Sequence, residues 1–192
     1  LRMVSRESRI HTVNMDARLF LAHLPQEKTY EMIFGDAVND FAVPYQITTR
    51  EFYGLVHAHL APGGVYATTI IDDPRYARFT TALVRTLQHV FASVTLFPMG
   101  SDLENGEGRN TFEIVASDVP FDTEQWKQVR PRQSDAFSPL SQETWKKMMS
   151  AADPAALERF LSQHQTPMLT DDYAPTDHYL APVFGDAYTG RR

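Results

Sequence analysis

Residues 30–44 read YEMIFGDAVNDFAVP, and this stretch decides the fold. Tyr30, Glu31, Met32, Ile33 and Phe34 form a mainly apolar strand. The strand runs into a turn with two carboxylates, Asp36 and Asp40, and with Asn39 between them. In an open α/β sheet, ligands bind outside the carboxyl ends of the strands. Acids carried to that rim by a buried strand are the best-placed candidates for chemistry in this chain.

Downstream, Thr48 stands three residues before Glu51, the spacing of a capping box. Phe52, Leu55, Val56, His59 and Leu60 then share one helical face, and Pro62-Gly63-Gly64 is read as the stop. Residues 65–71 (VYATTII) follow as a β-branched strand whose nearly continuous apolar character suits a parallel sheet covered on both faces. Asp72-Asp73-Pro74 opens the next helix, with Tyr76, Phe79, Leu83, Leu87 and Val90 on its buried side. Residues 93–97 and 111–116 read as two strands joined by a Gly-rich loop, hence an antiparallel pair.

Upstream, residues 9–14 (RIHTVN) read as a short strand. Asp16 then precedes a brief helix built on Phe20, Leu21 and Leu24 and closed by Pro25. Strand and helix alternate with short links up to about residue 97, the pattern of an α/β sheet. From residue 119 the character changes: Pro120, Pro131 and Pro139 punctuate it, and residues 143–149 and 154–164 read as helices, the second capped by Asp153. The expected division is residues 1–118 as a Rossmann-like domain and residues 119–192 as a helical extension packed on it. Residues 185–192 are read as a frayed end.

Composition narrows the function. A chain of 192 residues with 43% hydrophobic content can bury a sizeable core. Its net charge is −6 and it has no dense Lys/Arg block, which argues against phosphate-neutralising contact with nucleic acid. The absence of cysteine removes thiol nucleophiles, Cys-ligated zinc and iron–sulfur clusters. No apolar run reaches the roughly 20 residues of a membrane span, and a cytoplasmic setting is the expectation. The chain opens on Leu1 rather than Met, which we read as a segment of something longer.

Four stretches together resemble the spermidine synthase family: Asp16, YEMIFGDAVND, VPYQITTREF and LAPGGV. More narrowly, LTDDYAPTD at 169–177 is similar to a signature of bacterial spermidine-synthase-like proteins, some of which are fused to membrane-spanning, transporter-like segments. The resemblance implies a Rossmann-like, methyltransferase-type fold. It implies transfer of an aminopropyl group from decarboxylated S-adenosylmethionine, as co-substrate, to an amine such as putrescine, with no permanently bound cofactor and no metal. By position, Asp36 matches the acid that receives the amine proton. Asp16, with Ala17 beside it, matches the place next to the adenine. Asp40 and Asn39 are alternative matches to a second acid that holds the amine. A homodimer and a membrane-tethered parent are further implications. The family's Gly-rich loop and ribose-holding acid have no counterpart upstream of residue 9, so the fold is expected to be entered after its second strand. Little or no activity is then expected of the chain by itself.

The residues also admit plainer readings. Asp36 and Asp40 suit turns, where a carboxylate satisfies backbone N–H groups, and Asp16 suits the cap of the helix from Ala17. His57 and His59 read as structural or solvent-facing, Trp145, Met148 and Met149 as core filling. Asp171, Asp172, Asp177 and His178 lack a spacing that fixes a metal geometry. They read instead as part of a turn that closes over the sheet edge, with Tyr173 packed inward. A methyltransferase of the same fold and a degenerate interaction domain are the rival functions.

Overall fold

A computed structural model describes residues 10–37, 43–99, 102–103, 106–128 and 142–188. Four strands form one sheet: β1 (Tyr30–Gly35), β2 (Leu60–Asp72), β3 (Ser93–Pro98) and β4 (Asn110–Ser117), in the order β1-β2-β4-β3. The β1/β2 ladder is parallel, crossed by helix α2 (Arg50–Ala58). Helix α3 (Arg78–Gln88) leads from β2 to β3, and β4 folds back between them, antiparallel to both. The α/β class and the antiparallel pair are therefore as the sequence reads.

One face of the sheet carries the main core. Tyr66 and Ile70 of β2, with Phe112 and Ile114 of β4, pack against α1 (Ala17–His23), α2 and α3. Leu157, Phe160 and Leu161 of α6 (Pro154–Gln163) and Tyr179, Leu180 and Val183 of α7 (Thr176–Tyr188) join the same cluster. The second face is smaller: Ala67, Phe97 and Val115, with Phe121 packed against them. Trp126 of α4 (Thr123–Gln128) stacks edge-on to Phe121, and its indole N–H lies 2.7 Å from the sulfur of Met149, just past α5 (Gln142–Met148). Beyond that cover, Met32 and Phe34 of β1 stand exposed, and β1 is a sheet edge among the described residues.

Several sequence expectations are corrected by packing. Residues 10–14 form no strand; Ile10 and Val13 are exposed, and no described strand pairs with this segment. Thr49, one residue later than expected, caps α2 by accepting from the Phe52 N–H, while Thr48 closes a 3₁₀ turn over Tyr45–Ile47. The helix stops at Ala58, before Pro62-Gly63-Gly64, because β2 already begins at Leu60. Those glycines form an irregularity inside β2. Gly63 takes φ 76°, and a Cβ on Gly64 would sit 2.8 Å from the Ala61 carbonyl oxygen. The helix expected at Pro74 begins at Arg78, after a turn that puts Ala77 in the left-handed region (φ 36°), and Tyr76 is exposed. Tyr173 is also exposed rather than packed inward. Helices α4 and α7 were not read from sequence. Asp40, Asn39, Pro131, Pro139, the side chain of Trp145 and residues 1–9 lie outside the described residues.

Gly35 is where the fold meets the rim. A Cβ there would overlap the hydroxyl of Tyr66, which is buried between Tyr53 and Phe91. Gly35→Ala is therefore expected to destabilise by about 1–3 kcal/mol, the usual cost of overfilling a packed site. A lowered thermal midpoint with an intact circular dichroism spectrum would bear this out; an unchanged midpoint would refute it.

Candidate active site

Asp36 emerges directly from the end of β1. Gly35 pairs with Thr68, and the Thr68 hydroxyl donates to the Gly35 carbonyl at 2.7 Å, so the strand end is held by its neighbour. The Asp36 residue is exposed and lines a cavity of about 560 Å³. That cavity lies at the carboxyl end and free edge of β1. Ala17 and Phe20 of α1 form one wall, Phe34 and Asp36 another, with Ile47 beside them and the buried Tyr66 behind. The lining is mainly apolar and aromatic. Burial pushes the Tyr66 phenol up to about 12, so it stays an uncharged hydroxyl near neutral pH.

Asp16 acts as the cap of α1: its carboxylate accepts from the Leu19 N–H at 2.9 Å. The plainer reading of this residue is thus realised, while its neighbour Ala17 faces the cavity. Asp40 and Asn39 are not among the described residues. His57 pairs with Asp118 at 2.7 Å, and His59 is buried against the Lys28 carbonyl oxygen at 2.9 Å. No three His, Asp or Glu side chains gather as a metal site among the described residues.

Two further acids, Asp171 and Asp72, read from sequence as part of a turn and of a helix start, hold the surrounding elements. Asp171, in the LTDDYAP segment, accepts two bonds from the Arg18 guanidinium, at 2.7 and 2.5 Å, and one from the Thr49 hydroxyl at 2.7 Å. Arg18 also donates to the Gln46 carbonyl oxygen, and the Asp171 N–H donates to Glu51. The Leu169 carbonyl oxygen accepts from Arg50 N–H, and the Thr176 hydroxyl donates to the Val43 carbonyl oxygen. The segment therefore ties α1, α2 and residues 43–47 together around the cavity mouth. The Arg18 hydrogen bonds hold the Asp171 carboxyl below the usual range.

Asp72 ends β2 and is fully buried. It accepts from the Asp73 N–H and from both the N–H and hydroxyl of Thr80, so it caps the first turn of α3 from eight residues away. Burial raises its pKa to about 6 despite those donors.

Comparison with known proteins follows this geometry. No family model matches the chain. It is 30% identical over 105 residues to a probable polyamine aminopropyl transferase of Bifidobacterium longum, a match covering 54% of this chain and 22% of that one. It is 36% identical over 86 residues to polyamine aminopropyltransferase 2 of Pseudomonas aeruginosa, covering 41% of this chain and 23% of the relative. The fold matches a probable spermidine synthase from Corynebacterium glutamicum with a TM-score of 0.59, at 18% identity, over 84% of this chain and 54% of the other. The fold is that of the spermidine synthases, and part of the chain is similar to polyamine aminopropyltransferases. The domain is also 35% identical over 86 residues to an N-terminal histidine N-methyltransferase of Emericella nidulans, over 43% of its own length and 15% of that protein. Each match takes in only a part of the relative. No helix among the described residues is long and apolar enough to cross a membrane.

Two outcomes follow from the rim geometry. Asp171→Asn should lower the thermal midpoint at pH 7, modestly because the pair is partly exposed. Its stabilisation is present above the ordinary Asp pKa and is lost as pH falls through the depressed folded value, so the variant's deficit should vanish in acid. Asp72 behaves oppositely. With a folded pKa of about 6 against an ordinary 3.8, its folded form binds the proton more tightly. Stability from this group should fall by ~3 kcal/mol as pH rises through that window, then level off. Denaturation midpoints at pH 4, 5, 6 and 7, with Asp72→Asn as the flat control, would test it; equal slopes in both proteins would exclude the assignment.

Proposed function

We propose that this domain carries the amine-side chemistry of an aminopropyltransferase. The donor is decarboxylated S-adenosylmethionine and the acceptor an amine such as putrescine. The observation that carries this reading is the position of Asp36: exposed, on the ligand rim of the parallel strand pair, at the wall of a cavity that Ala17 also lines.

An ammonium has no lone pair and cannot attack. Asp36 draws the cation in and takes its proton, leaving a neutral nitrogen facing the donor. That nitrogen forms a C–N bond to the donor carbon next to the sulfonium. The C–S bond breaks, its electron pair stays on sulfur, and methylthioadenosine leaves. Asp16 and Ala17 lie on the adenine side in this reading, and the aromatic lining suits both the ring and the positive sulfur. Asp40 or Asn39 would steady the amine. The assignment is to the full-length protein, because the matched relatives extend beyond this chain. Pairing of two copies belongs to the same reading, and sedimentation would test it.

The similarity to a histidine methyltransferase supports a second reading, methyl transfer from S-adenosylmethionine within the same fold. Product mass separates the two. The experiment is calorimetry of the full-length protein with methylthioadenosine, followed by transfer assays. Asp36→Asn should retain nucleoside binding and lose transfer by on the order of a hundredfold or more, the contribution of a positioned base. Absence of nucleoside binding in the wild type, or full transfer by the variant, would sink the proposal.

A further inference from the structure

We propose that the cavity between α3 and the stretch just past α6 is a binding site for an oxyanion, a phosphoryl or carboxylate group carried by a small molecule. The proposal stands apart from the aminopropyl-transfer reading, because it uses no residue that lines the Asp36 cavity.

The cavity, of about 450 Å³, is lined by Arg85 of α3, Ser162 of α6, and Gln165, Thr166 and Pro167. None of the five is acidic, and Arg85 is always cationic. Arg85 forms no ion pair with another described residue. Its guanidinium has five N–H donors, and its acceptor is the Leu161 carbonyl oxygen at 2.9 Å. In a chain of net charge −6, this cavity therefore holds a positive charge that no carboxylate matches.

Buried polar atoms single out the same place. Among the described residues, three side-chain polar atoms are shut off from water and lack a hydrogen-bond partner: Arg85 Nε, Thr166 Oγ1 and Thr81 Oγ1. The first two belong to residues that line this cavity, and Thr81 lies one turn before Arg85 on α3. Thr166 is only 7% exposed. Buried donors are normally matched, and leaving one unmatched is costly. Neighbouring threonines of α3 obey that rule: Thr80 donates to Asp72, and Thr86 donates to the Ala82 carbonyl oxygen. The exceptions gather around one cavity.

Its walls are already held in place. Leu169 N–H, three residues past Thr166, donates to the Thr86 hydroxyl at 2.8 Å, next to Arg85 in sequence. The Arg85 bond to Leu161 fixes α3 to α6. Arg85 Nε and Thr166 Oγ1 lie beneath the lining, so a small side-chain rotation is what brings either donor to an occupant. An oxyanion then receives bonds from both walls: the arginine fork suits two oxygens at once, and Thr166 adds an O–H. Ser162 gives its proton to the Glu158 carbonyl oxygen at 2.8 Å, so it contributes shape rather than a bond.

The test is calorimetry of the full-length protein with inorganic phosphate and with acetate, each at constant ionic strength against sodium chloride. An oxyanion should bind beyond the chloride blank; tighter phosphate marks a phosphoryl ligand, tighter acetate a carboxylate. Arg85→Gln should weaken the better anion by roughly tenfold or more, the loss of charge-assisted hydrogen bonds. Arg85→Lys keeps the charge without the fork and should fall between. Thr166→Val should weaken it by roughly threefold or more, yet leave the anion-free thermal midpoint unchanged or raised, because a methyl group replaces an unmatched hydroxyl. That combination separates a ligand contact from a merely structural one, and it stands even if Arg85→Gln fails to fold. A wild type that binds neither anion beyond chloride would overturn the inference. So would Arg85→Lys and Thr166→Val variants that bind like the wild type, or a Thr166→Val variant whose midpoint falls.

Discussion

The contact between the end of β1 and the middle of β2 sets the rest of the structure. Thr68 donates to the Gly35 carbonyl oxygen, and the Tyr66 ring occupies the space where any side chain at 35 would lie. The two constraints act together: one holds the backbone down, the other forbids a Cβ. The strand ends at Gly35, and Asp36 is the first residue past it. A one-residue slip would turn Asp36 to the other face and bring Phe34 over the Tyr66 ring. The place of the acid is a consequence of packing on the buried side of the sheet.

The cavity beside it is assembled from distant parts of the chain. Arg18 and Asp171 are 153 positions apart, and Leu169 N–H reaches the Thr86 hydroxyl over 83. Closing such long loops costs entropy once, and that cost grows only slowly with length. Several contacts then share it. Backbone bonds at Leu169, the Thr176 hydroxyl and the Arg18 fork all anchor the same short segment, so each later contact forms on a chain already held. The buried Phe160, Leu169 and Leu180 add the apolar burial that an exposed ion pair cannot supply.

Local chemistry was legible in the sequence; neighbourhood was not. The β-branched run in β2, the antiparallel pairing of β3 with β4 and the Asp153-Pro154 start of α6 carry their structure in their own residues, and each formed as read. Residues 10–14 have strand composition, but a strand needs a partner, and they pair with none of the described strands. The start of α2 was read one residue early because Thr48 and Thr49 are chemically alike; which becomes the cap depends on the 3₁₀ turn before them. The start of α3 was read at Pro74, a reasonable first helical residue, but its cap is the side chain of Asp72 reaching across a turn. In the site, a strand followed by an acid pointed to Asp36. Nothing local pointed to the partners of Asp171, which come from other elements. The LTDDYAP stretch was noticed as a signature, yet its grip is Asp171 and not the tyrosine.

Fold alone does not separate the chemistries this architecture supports, since a methyltransferase and aminopropyltransferases are both among its relatives. The difference lies in the nucleophile. Both donors carry a positive sulfur, so a cationic acceptor approaches against like charge and must be neutralised on arrival. Acids on the acceptor side serve that need twice, by attracting the cation and by receiving its proton. A neutral acceptor gains from neither. In the aminopropyl-transfer reading, the placement of Asp36 at the rim matters more than the shape of the sheet. Asp36 stands at that strand end, exposed at the cavity wall.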